Sequence, residues 1–210
     1  MRMKQVPKMK SSNEESQVKN EKRDAILHAA WGLIRHYGYS KTTIDDIAKR
    51  AKVGKGTVYL YFKSKTEIML ALTDLTNQRI TRELERIASE NKPPQERLRA
   101  CVLYRVMTLF DLVNRYPHSE DVIASILPEI VERLDRYVRR HGELLGQIVR
   151  EGCSSGMLVS EDPELTGQLL ASLFEFLTPP YYRFKSRKSL EQFTGEIVDL
   201  MLNGLKKKNS

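Results

Sequence analysis

The hydrophobic residues of the chain recur every three or four positions along almost its whole length. No segment shows the sustained alternation of apolar and polar residues that marks a half-buried strand. The pattern therefore predicts an all-α fold of about nine helices. No block of sequence repeats at a fixed period, which argues against a helical solenoid.

Three short helices are predicted near the start of the chain. The first covers about residues 21–37 and stops at a glycine, and the second follows Thr42 and Thr43, whose spacing to two aspartates allows a capping box. A break at residues 52–54 separates the second helix from a third over about residues 55–61. Two short helices joined by a tight turn in this way form a helix-turn-helix.

The rest of the chain predicts a longer helical body. A second capping box at Ser64 opens the fourth helix, and Pro128, at a first-turn position, opens the seventh. The predicted helices after the fourth cover approximately residues 95–115, 119–126, 128–152, 162–177 and 189–207.

Charge divides the chain into a basic first third and a balanced remainder. The chain has 210 residues and a formal net charge of +8; residues 1–65 hold 15 Lys and Arg against 6 Asp and Glu, and the rest hold 20 against 21. Residues 1–20 contain few large apolar side chains and are predicted to form a disordered basic arm. The remaining excess surrounds the helix-turn-helix, as a surface facing DNA phosphates requires.

Several classes of protein are excluded by what the sequence lacks. No apolar stretch approaches the roughly 18 residues that span a bilayer, and no apolar segment of a secretory signal follows the basic start, so we expect a cytoplasmic protein without a membrane partner. The widely separated Cys101 and Cys153 match neither a zinc site nor a redox pair. The four histidines are scattered and no catalytic motif is present, so we expect no enzyme activity, no metal and no cofactor.

Residues 38–48 and 53–65 carry a specific pattern. It consists of Lys-Gly-Thr-Val-Tyr-Leu-Tyr-Phe at residues 55–62, followed by Ser64 and Lys65 and preceded by the Gly-Tyr-Ser-Lys-Thr-Thr-Ile run that starts at Gly38. This pattern resembles the DNA-binding domain of the tetracycline-repressor (TetR) family of bacterial regulators. The similarity in motif covers about residues 22–70, and beyond it the resemblance is one of helical architecture and length.

The resemblance implies a set of DNA-binding residues with distinct roles. Thr42 and Thr43 would offer hydroxyl and backbone N–H groups to a phosphate, and the start of the third helix would face base edges. The tyrosines and the lysine that follow would reach phosphates. The implied set is Thr42, Thr43, Lys55, Gly56, Thr57, Tyr59, Tyr61 and Lys65. Ordinary packing of the tyrosines and a merely solvated Lys55 remain alternatives.

Two positions depart from the family's usual pattern. Lys52 stands in the turn where the family usually has Gly, and a left-handed backbone there would cost on the order of 1 kcal/mol. Gly54 stands where the family usually has a Ser that caps the recognition helix, so this chain supplies no hydroxyl at that position. A phosphate contact from residue 54 is therefore in doubt, and Lys52 could supply a charge nearby.

The last two helices predict a dimer interface. One helix-turn-helix covers too few base pairs to be selective, so two copies about 34–36 Å apart are expected. Apolar residues recur at spacings of three or four in both helices, which matches the four-helix bundle of the family's usual dimer; packing within the same chain is the alternative. The predicted interface residues are Leu165, Leu169, Leu173, Phe176, Leu190, Phe193, Ile197 and Met201.

The resemblance implies that the middle helices form an effector pocket. Arg105 and His141 fall in otherwise apolar registers, and a buried charge or imidazole needs a partner, which a ligand would provide. An internal hydrogen bond or an arginine reaching to solvent is the alternative. With Tyr104, Phe110 and Phe174 as aromatic lining, these residues form the predicted pocket.

We therefore predict a disordered arm over residues 1–20, a helix-turn-helix domain over 21–66 and an effector-binding and dimerisation domain over 67–210. The expected function is that of a ligand-responsive repressor that binds a palindromic operator in double-stranded DNA as a homodimer and responds to a small-molecule effector. A non-specific architectural DNA-binding protein and a helical adaptor are the alternatives.

Overall fold

The computed structural model describes residues 12–114, 119–173, 177 and 186–205. Within those ranges it contains eight helices and no strand, so the all-α prediction is confirmed. The helices are α1 (Ser12–Tyr37), α2 (Ile44–Ala51), α3 (Lys55–Tyr61), α4 (Lys65–Ala88), α5 (Pro94–Asn114), α6 (Ser119–Ser154), α7 (Pro163–Leu173) and α8 (Arg187–Leu205).

The first helix is longer than the sequence pattern predicted. It begins at Ser12 rather than near residue 21, so the second half of the predicted disordered arm is helical. Gln17, Lys19 and Asn20 are exposed, and burial therefore does not hold this extension. Adding residues to an existing helix is far easier than nucleating one, and Glu, Gln and Lys are good helix formers.

Two helices that the sequence separated at Pro128 are one continuous helix, α6. The interpretation of Pro128 as a helix start is wrong, because the helical backbone extends on both sides of it. A proline inside a helix removes one intrahelical hydrogen bond, but residues before and after it keep their own bonds. This merger accounts for eight helices in the described ranges where about nine were predicted.

The N-terminal core joins α1, α2, α3 and the first turns of α4. Ile26, Ile47, Val58 and Ile68, one from each helix, are completely buried in it. These residues come from the inward positions that the helical periodicity predicted. Ile130 of α6 also packs against this core, so the long helix of the body contacts the helix-turn-helix unit.

A second core fills the body between α4, α5, α6, α7 and α8. Its fully buried side chains include Leu84, Leu98, Ile148 and Leu190. Since α4 contributes Ile68 to the first core and Leu84 to the second, it runs through the domain boundary predicted between residues 66 and 67. Helix α4 therefore connects the two cores as one continuous helix.

The closest helix contact in the body depends on glycine. A Cβ atom added to Gly167 of α7 would overlap the backbone of Gly142 and Gly146 of α6. Only the absence of a side chain allows the two helices to approach so closely.

Within the described ranges no helix is long and apolar enough to cross a membrane.

Candidate DNA interface and effector region

Helix α2 starts at a capping box. The N–H of Asp46 donates to Thr43 Oγ1 at 3.2 Å, and the N–H of Thr43 donates in return to Asp46 Oδ2 at 3.1 Å. The hydrogen bonds from Thr43 lower the pKa of the Asp46 carboxyl, so the box holds a carboxylate at neutral pH. The capping predicted at this helix start is confirmed, with Thr43 as the cap.

The turn between α2 and α3 has a left-handed residue at Lys52. Its φ and ψ are 55° and 40°, and it is the one non-glycine residue with positive φ in the described part of the chain. The N–H of Val53 donates across the turn to the carbonyl oxygen of Ala48 at 3.0 Å. The backbone conformation inferred from the family comparison is therefore present, and it is occupied by a residue with a Cβ.

Helix α3 begins without a side-chain cap. Gly54 is the N-cap residue, with φ −70° and ψ 150°, and only its carbonyl takes part, accepting from the N–H of Thr57 at 2.9 Å. A Cβ at this position would meet only Thr57 Oγ1, at 3.8 Å, which is ordinary contact. Helix α3 therefore lacks a side-chain cap, although the position has room for a side chain.

The outward face of α3 carries Gly56 and Leu60, one turn apart. Val58 is fully buried, whereas Leu60 is 83% exposed and Tyr59 is 48% exposed. A Cβ added to Gly56 would meet nothing within 4 Å. At 100° per residue, the side opposite Val58 is occupied by Gly56 and Leu60. The outward face of α3 therefore has no side chain in its first turn, at Gly56, and an exposed apolar side chain one turn later, at Leu60.

Sequence reasoning placed Gly56 at this surface but missed Leu60. The signal was available, because a residue two positions after an inward valine in a helix must point outward. An exposed leucine on a recognition helix is suited to apolar contact with a thymine methyl group.

Lys55 is held by a carboxylate of the preceding helix. Its Nζ lies 3.1 Å from Asp45 Oδ1 and 3.2 Å from Oδ2, and both side chains are about half exposed. The hydrogen bond that Lys55 donates to Asp45 raises the pKa of Lys55, so the ammonium form is retained. Lys55 is therefore neither buried nor freely solvated: it has a partner that DNA could replace. Asp45 was not among the predicted site residues.

Thr42 and Lys65 both form hydrogen bonds within the protein. Thr42 is 2% exposed and its hydroxyl donates to the carbonyl oxygen of Gly38 at 2.8 Å. Lys65 Nζ donates to the carbonyl oxygens of Tyr39 at 2.7 Å and Thr42 at 3.0 Å. The same ammonium lies 4.2 Å from the centre of the Tyr39 ring, and burial lowers its pKa.

In the structure the Thr42 hydroxyl and the Lys65 ammonium both donate to backbone carbonyls of the protein, and their contact with a phosphate stays a prediction. A buried hydroxyl donates to a nearby carbonyl, and an ammonium donates to the carbonyls that its flexible stem can reach. Both residues join the α1–α2 connection to the start of α4. Through these bonds the two residues hold the start of α2 against α4.

The two tyrosines of α3 have different environments. Tyr59 is about half exposed, as a contact to DNA requires, while Tyr61 is half-buried and packs against the N-terminal core. Much of the Tyr61 side chain is therefore packed in the protein, which was the alternative to a phosphate contact.

In the body, Arg105 and His141 contact each other. They are 6% and 1% exposed, and Arg105 Nε donates to His141 Nδ1 at 3.3 Å. His141 Nε2 lies 2.9 Å from Thr81 Oγ1, which itself donates to the carbonyl oxygen of Asn77 at 2.9 Å. These donors assign a neutral imidazole with its proton on Nε2. Burial, with the charge of Arg105, lowers the pKa of His141 to about 3.

The internal hydrogen bond, which was the alternative to a ligand contact, is thus present. We call the chain from Arg105 through His141 and Thr81 to Asn77 the buried relay; it joins α5, α6 and α4. Of the aromatic residues predicted to line the pocket, Phe110 is buried and Tyr104 half-buried in the body core, and Phe174 lies outside the described residues.

The predicted dimer residues divide into two groups. Leu190 is completely buried in the body core, and Ile197 and Met201 pack against that core, so for these three the alternative of packing within the chain is what the structure shows. The exposed members are Leu165 (54%), Leu169 (58%) and Phe193 (44%). The side chain of Leu173 and all of Phe176 lie outside the described residues.

The sequence also missed Leu200, which is 71% exposed on α8. The predicted seam took one stripe of α8 as the interface, but helix periodicity alone does not say which of two apolar stripes faces the chain's own core. In the structure, the exposed apolar residues of α8 are Phe193 and Leu200.

Among the described residues, no three histidine, cysteine, aspartate or glutamate side chains are grouped to hold a metal ion. Cys101 and Cys153 are both free thiols, and burial raises the pKa of Cys101 to about 12.

Comparison with known proteins agrees with the site. The family model of bacterial regulatory proteins of the tetR family matches residues 26–72. The HTH-type transcriptional repressor KstR of Rhodococcus jostii is 35% identical over 149 residues, which cover 71% of this chain and 66% of that protein. The fatty acid metabolism regulator protein of Bacillus subtilis is 22% identical over 191 residues, covering 90% and 98% of the two chains.

The fold has close counterparts among solved structures. A transcriptional regulator of the TetR/AcrR family from Thermobifida fusca superposes with a TM-score of 0.70 at 25% identity, over 90% of this chain and all of that one. The matched region of the family model contains α2, α3 and the start of α4, where the geometry above places the candidate DNA interface.

Proposed function

Because the chain belongs to the TetR family of bacterial regulatory proteins, and is thus a DNA-binding transcriptional regulator, we propose that it is a repressor that binds a palindromic operator as a homodimer and leaves it when a small-molecule effector binds. The observation that carries the proposal is the outward face of α3. A fully buried Val58 fixes the helix, while Gly56 and Leu60 on the opposite side are open to a DNA groove.

Helix α3 would enter the major groove with Lys55, Gly56 and Thr57 near the base edges. The absence of a side chain at Gly56 lets the helix backbone approach the bases closely. Lys55 would exchange Asp45 for an acceptor on a base, so that Asp45 keeps the lysine in position until DNA arrives. Leu60 follows one turn later and would add apolar contact.

The phosphates would be contacted from the flanks of α3. Tyr59 is exposed enough to donate its hydroxyl to a phosphate, and Thr43 lies at the exposed start of α2. Tyr61 offers only the part of its side chain that the core leaves open. Thr42 and Lys65 support this arrangement from behind, by fixing the α1–α2 connection against α4.

A homodimer follows from the need for two half-sites and from the surface of the body. The exposed leucines 165 and 169 of α7, with Phe193 and Leu200 of α8, form apolar stripes that a second copy of the chain would cover. Two copies of α3 spaced one DNA turn apart, about 34–36 Å, would then read a palindrome.

Response to an effector would operate through α4. The buried relay attaches the middle of α4 to α5 and α6, and Lys65 attaches its start to the α1–α2 connection. A ligand that binds better to one position of α4 shifts the population toward that position and changes the spacing of the two α3 helices. The repressor role is supported by the relative from Rhodococcus jostii, which is named a repressor.

The test is a gel shift with the DNA upstream of the chain's own gene against a scrambled duplex of equal length. We expect retention of the upstream DNA alone as salt is raised to about 200 mM, because base contacts outlast the phosphate contribution. Equal retention of both duplexes would favour an architectural protein, and retention of neither would favour an adaptor; each result contradicts the proposal.

Two variants separate reading of bases from attachment to the backbone. Tyr59→Phe removes one hydroxyl and should weaken binding to all sequences alike, while Lys55→Ala should change the preferred base. An unchanged preference for Lys55→Ala would contradict the placement of that residue at the base edges.

A further inference from the structure

A polar cleft lies between α4 and α6, on the body of the molecule. Its volume is about 670 Å³, within the range of roughly 300–1,000 Å³ that small-molecule sites occupy. The residues that line it are Asp74, Gln78, Thr81, Arg82, Arg136, Tyr137 and Arg140. None of them belongs to the predicted effector pocket or to the candidate DNA interface.

The acidic residue of the cleft is already compensated. Asp74 Oδ2 accepts from Arg133 at 2.7 Å, and Tyr137 Oη donates to Asp74 Oδ1 at 3.3 Å. Burial, followed by the charge of Asp74, raises the pKa of Tyr137, so this hydroxyl keeps its proton. Asp74 therefore forms its ion pair with Arg133, which does not line the cleft, rather than with one of the lining arginines.

Two of the three lining arginines have no acidic partner in the described part of the chain. Arg140 is paired with Glu85 at 2.8 Å, but no described carboxylate lies within the 4 Å of an ion pair to Arg82 or Arg136. Arg82 Nε makes only a long bond of 3.3 Å to the carbonyl oxygen of Gln78. Because the chain beyond Lys65 has one more acidic than basic residue, this local excess does not follow from composition.

We propose that this cleft binds an organic anion through a phosphate or carboxylate head group. The planar guanidinium of arginine forms paired hydrogen bonds with both kinds of head group, and Arg82 and Arg136 approach the same space from different helices. The Tyr137 hydroxyl and the Gln78 amide add uncharged polar groups, and the tyrosine ring gives an apolar wall for the rest of the ligand.

The cleft also reaches the buried relay. Thr81 lines it, and the Oγ1 atom of Thr81 is the partner of His141 Nε2 at 2.9 Å. An anion that draws Arg82 and Arg136 together would bring α4 toward α6 at the position where the relay joins them. This regulatory consequence rests on the proposed function, whereas binding of the anion does not.

Titration calorimetry of the full chain tests the binding, with pyrophosphate and succinate as separate probes at constant ionic strength. We expect saturable binding of at least one probe, and which one binds identifies the head group. The variant that combines Arg82→Ala with Arg136→Ala should lose on the order of tenfold or more in affinity. Arg139→Ala is the matched control, since Arg139 is on α6, pairs with Asp135 and does not line the cleft.

Equal binding by both variants, or no binding of either probe to the unaltered chain, would overturn the proposal. Operator binding is measured separately on the same proteins. If the probe binds and depends on Arg82 and Arg136 but no duplex is retained specifically, the cleft stands and the proposed function fails. If the operator is retained but no probe binds, the proposed function stands and the cleft proposal fails.

Discussion

The ammonium group of Lys65 lies 2.7 Å from the carbonyl oxygen of Tyr39 and 4.2 Å from the centre of the Tyr39 ring. A second carbonyl, that of Thr42, accepts from it at 3.0 Å. The first residue of α4 is thus attached to both ends of the connection between α1 and α2. A lysine that the family resemblance assigned to phosphate contact thus joins the start of α4 to the α1–α2 connection. We call the two hydrogen bonds from Lys65 to Tyr39 and Thr42 the clasp.

The clasp predicts the behaviour of Lys65→Met. We expect the free energy of unfolding to fall by about 1–2 kcal/mol, because two backbone carbonyls lose a charged donor. DNA affinity should fall for all duplexes, with an unchanged slope of log affinity against log salt. Thermal unfolding and gel shifts over a salt series measure the two effects.

Lys63→Met is the matched control, since Lys63 is exposed and close in sequence. We expect Lys63→Met to leave the melting temperature unchanged. Because its exposed ammonium directly follows the helix-turn-helix, we also expect it to reach a DNA phosphate, so that its loss reduces the salt slope by about 0.9. A Lys65→Met variant with an unchanged melting temperature and a reduced slope would return Lys65 to the phosphates and remove the clasp.

The left-handed turn residue predicts a stabilising substitution. Lys52→Gly should raise the stability by on the order of 1 kcal/mol, which is about 2–4 °C in melting temperature for a chain of this length, because glycine adopts φ 55° without strain. Lys52→Ala removes the same charge but keeps a Cβ, so it should show no such gain. Equal melting temperatures for the two variants would show that the turn carries no strain.

The outward position of Leu60 predicts a specific effect on DNA. Leu60→Ala should lower operator affinity by about 1 kcal/mol, or roughly fivefold, without a change in melting temperature, since the side chain is 83% exposed. Replacing thymines of the operator one at a time by uracil should produce a similar loss at one position in the unaltered chain and none in the variant. Buried Val58→Ala is the contrast, because it should lower the melting temperature. A Leu60→Ala variant that binds normally would place the residue outside the groove.

The buried imidazole predicts a pH dependence of stability. The pKa of His141 is lowered to about 3 in the folded chain from 6.5, so the unfolded chain binds more protons between those values and stability falls as the pH falls. Between pH 7 and pH 5 this group should remove about 2 kcal/mol from the free energy of unfolding. Urea titrations of the unaltered chain and of His141→Gln at both pH values measure the difference.

The substituted chain should lose most of this dependence, while His28→Gln, at an exposed position, should keep it. If His141→Gln shows the same fall in stability between pH 7 and pH 5 as the unaltered chain, the imidazole is charged in the folded state and the assigned relay is wrong.

Periodicity in the sequence predicted much of this architecture, and particular residues show where it stopped. It placed Val58 inward correctly, because a short amphipathic helix has only one way to bury a valine. The outward Gly56 was implied by the family resemblance. Periodicity could not find the contacts of Lys65, because the carbonyls that hold its ammonium lie more than 20 residues away in sequence. The partner of His141 was equally out of reach, since Arg105 and Thr81 come from two other helices. Tertiary geometry alone decides such contacts.

Two of the leucines of α8 provide the last prediction. Leu190 is fully buried and Leu200 is 71% exposed, although both belong to apolar positions of the same helix. If the exposed stripe meets a second copy of the chain, Leu200→Glu should produce a monomer, because it would place a charge in an apolar interface. The fold of each copy should remain intact, since most of the Leu200 side chain is exposed.

Leu190→Ala should do the reverse. It opens a cavity in the body core and should cost about 2–5 kcal/mol of stability, while the dimer persists as long as the chain is folded. Sedimentation equilibrium gives the mass of each variant, and thermal unfolding gives its stability. Because one helix-turn-helix reads too few base pairs, the Leu200→Glu monomer should also lose specific operator binding at concentrations where the unaltered chain is saturated. A dimeric Leu200→Glu that still binds the operator would mean that a different surface joins the two copies.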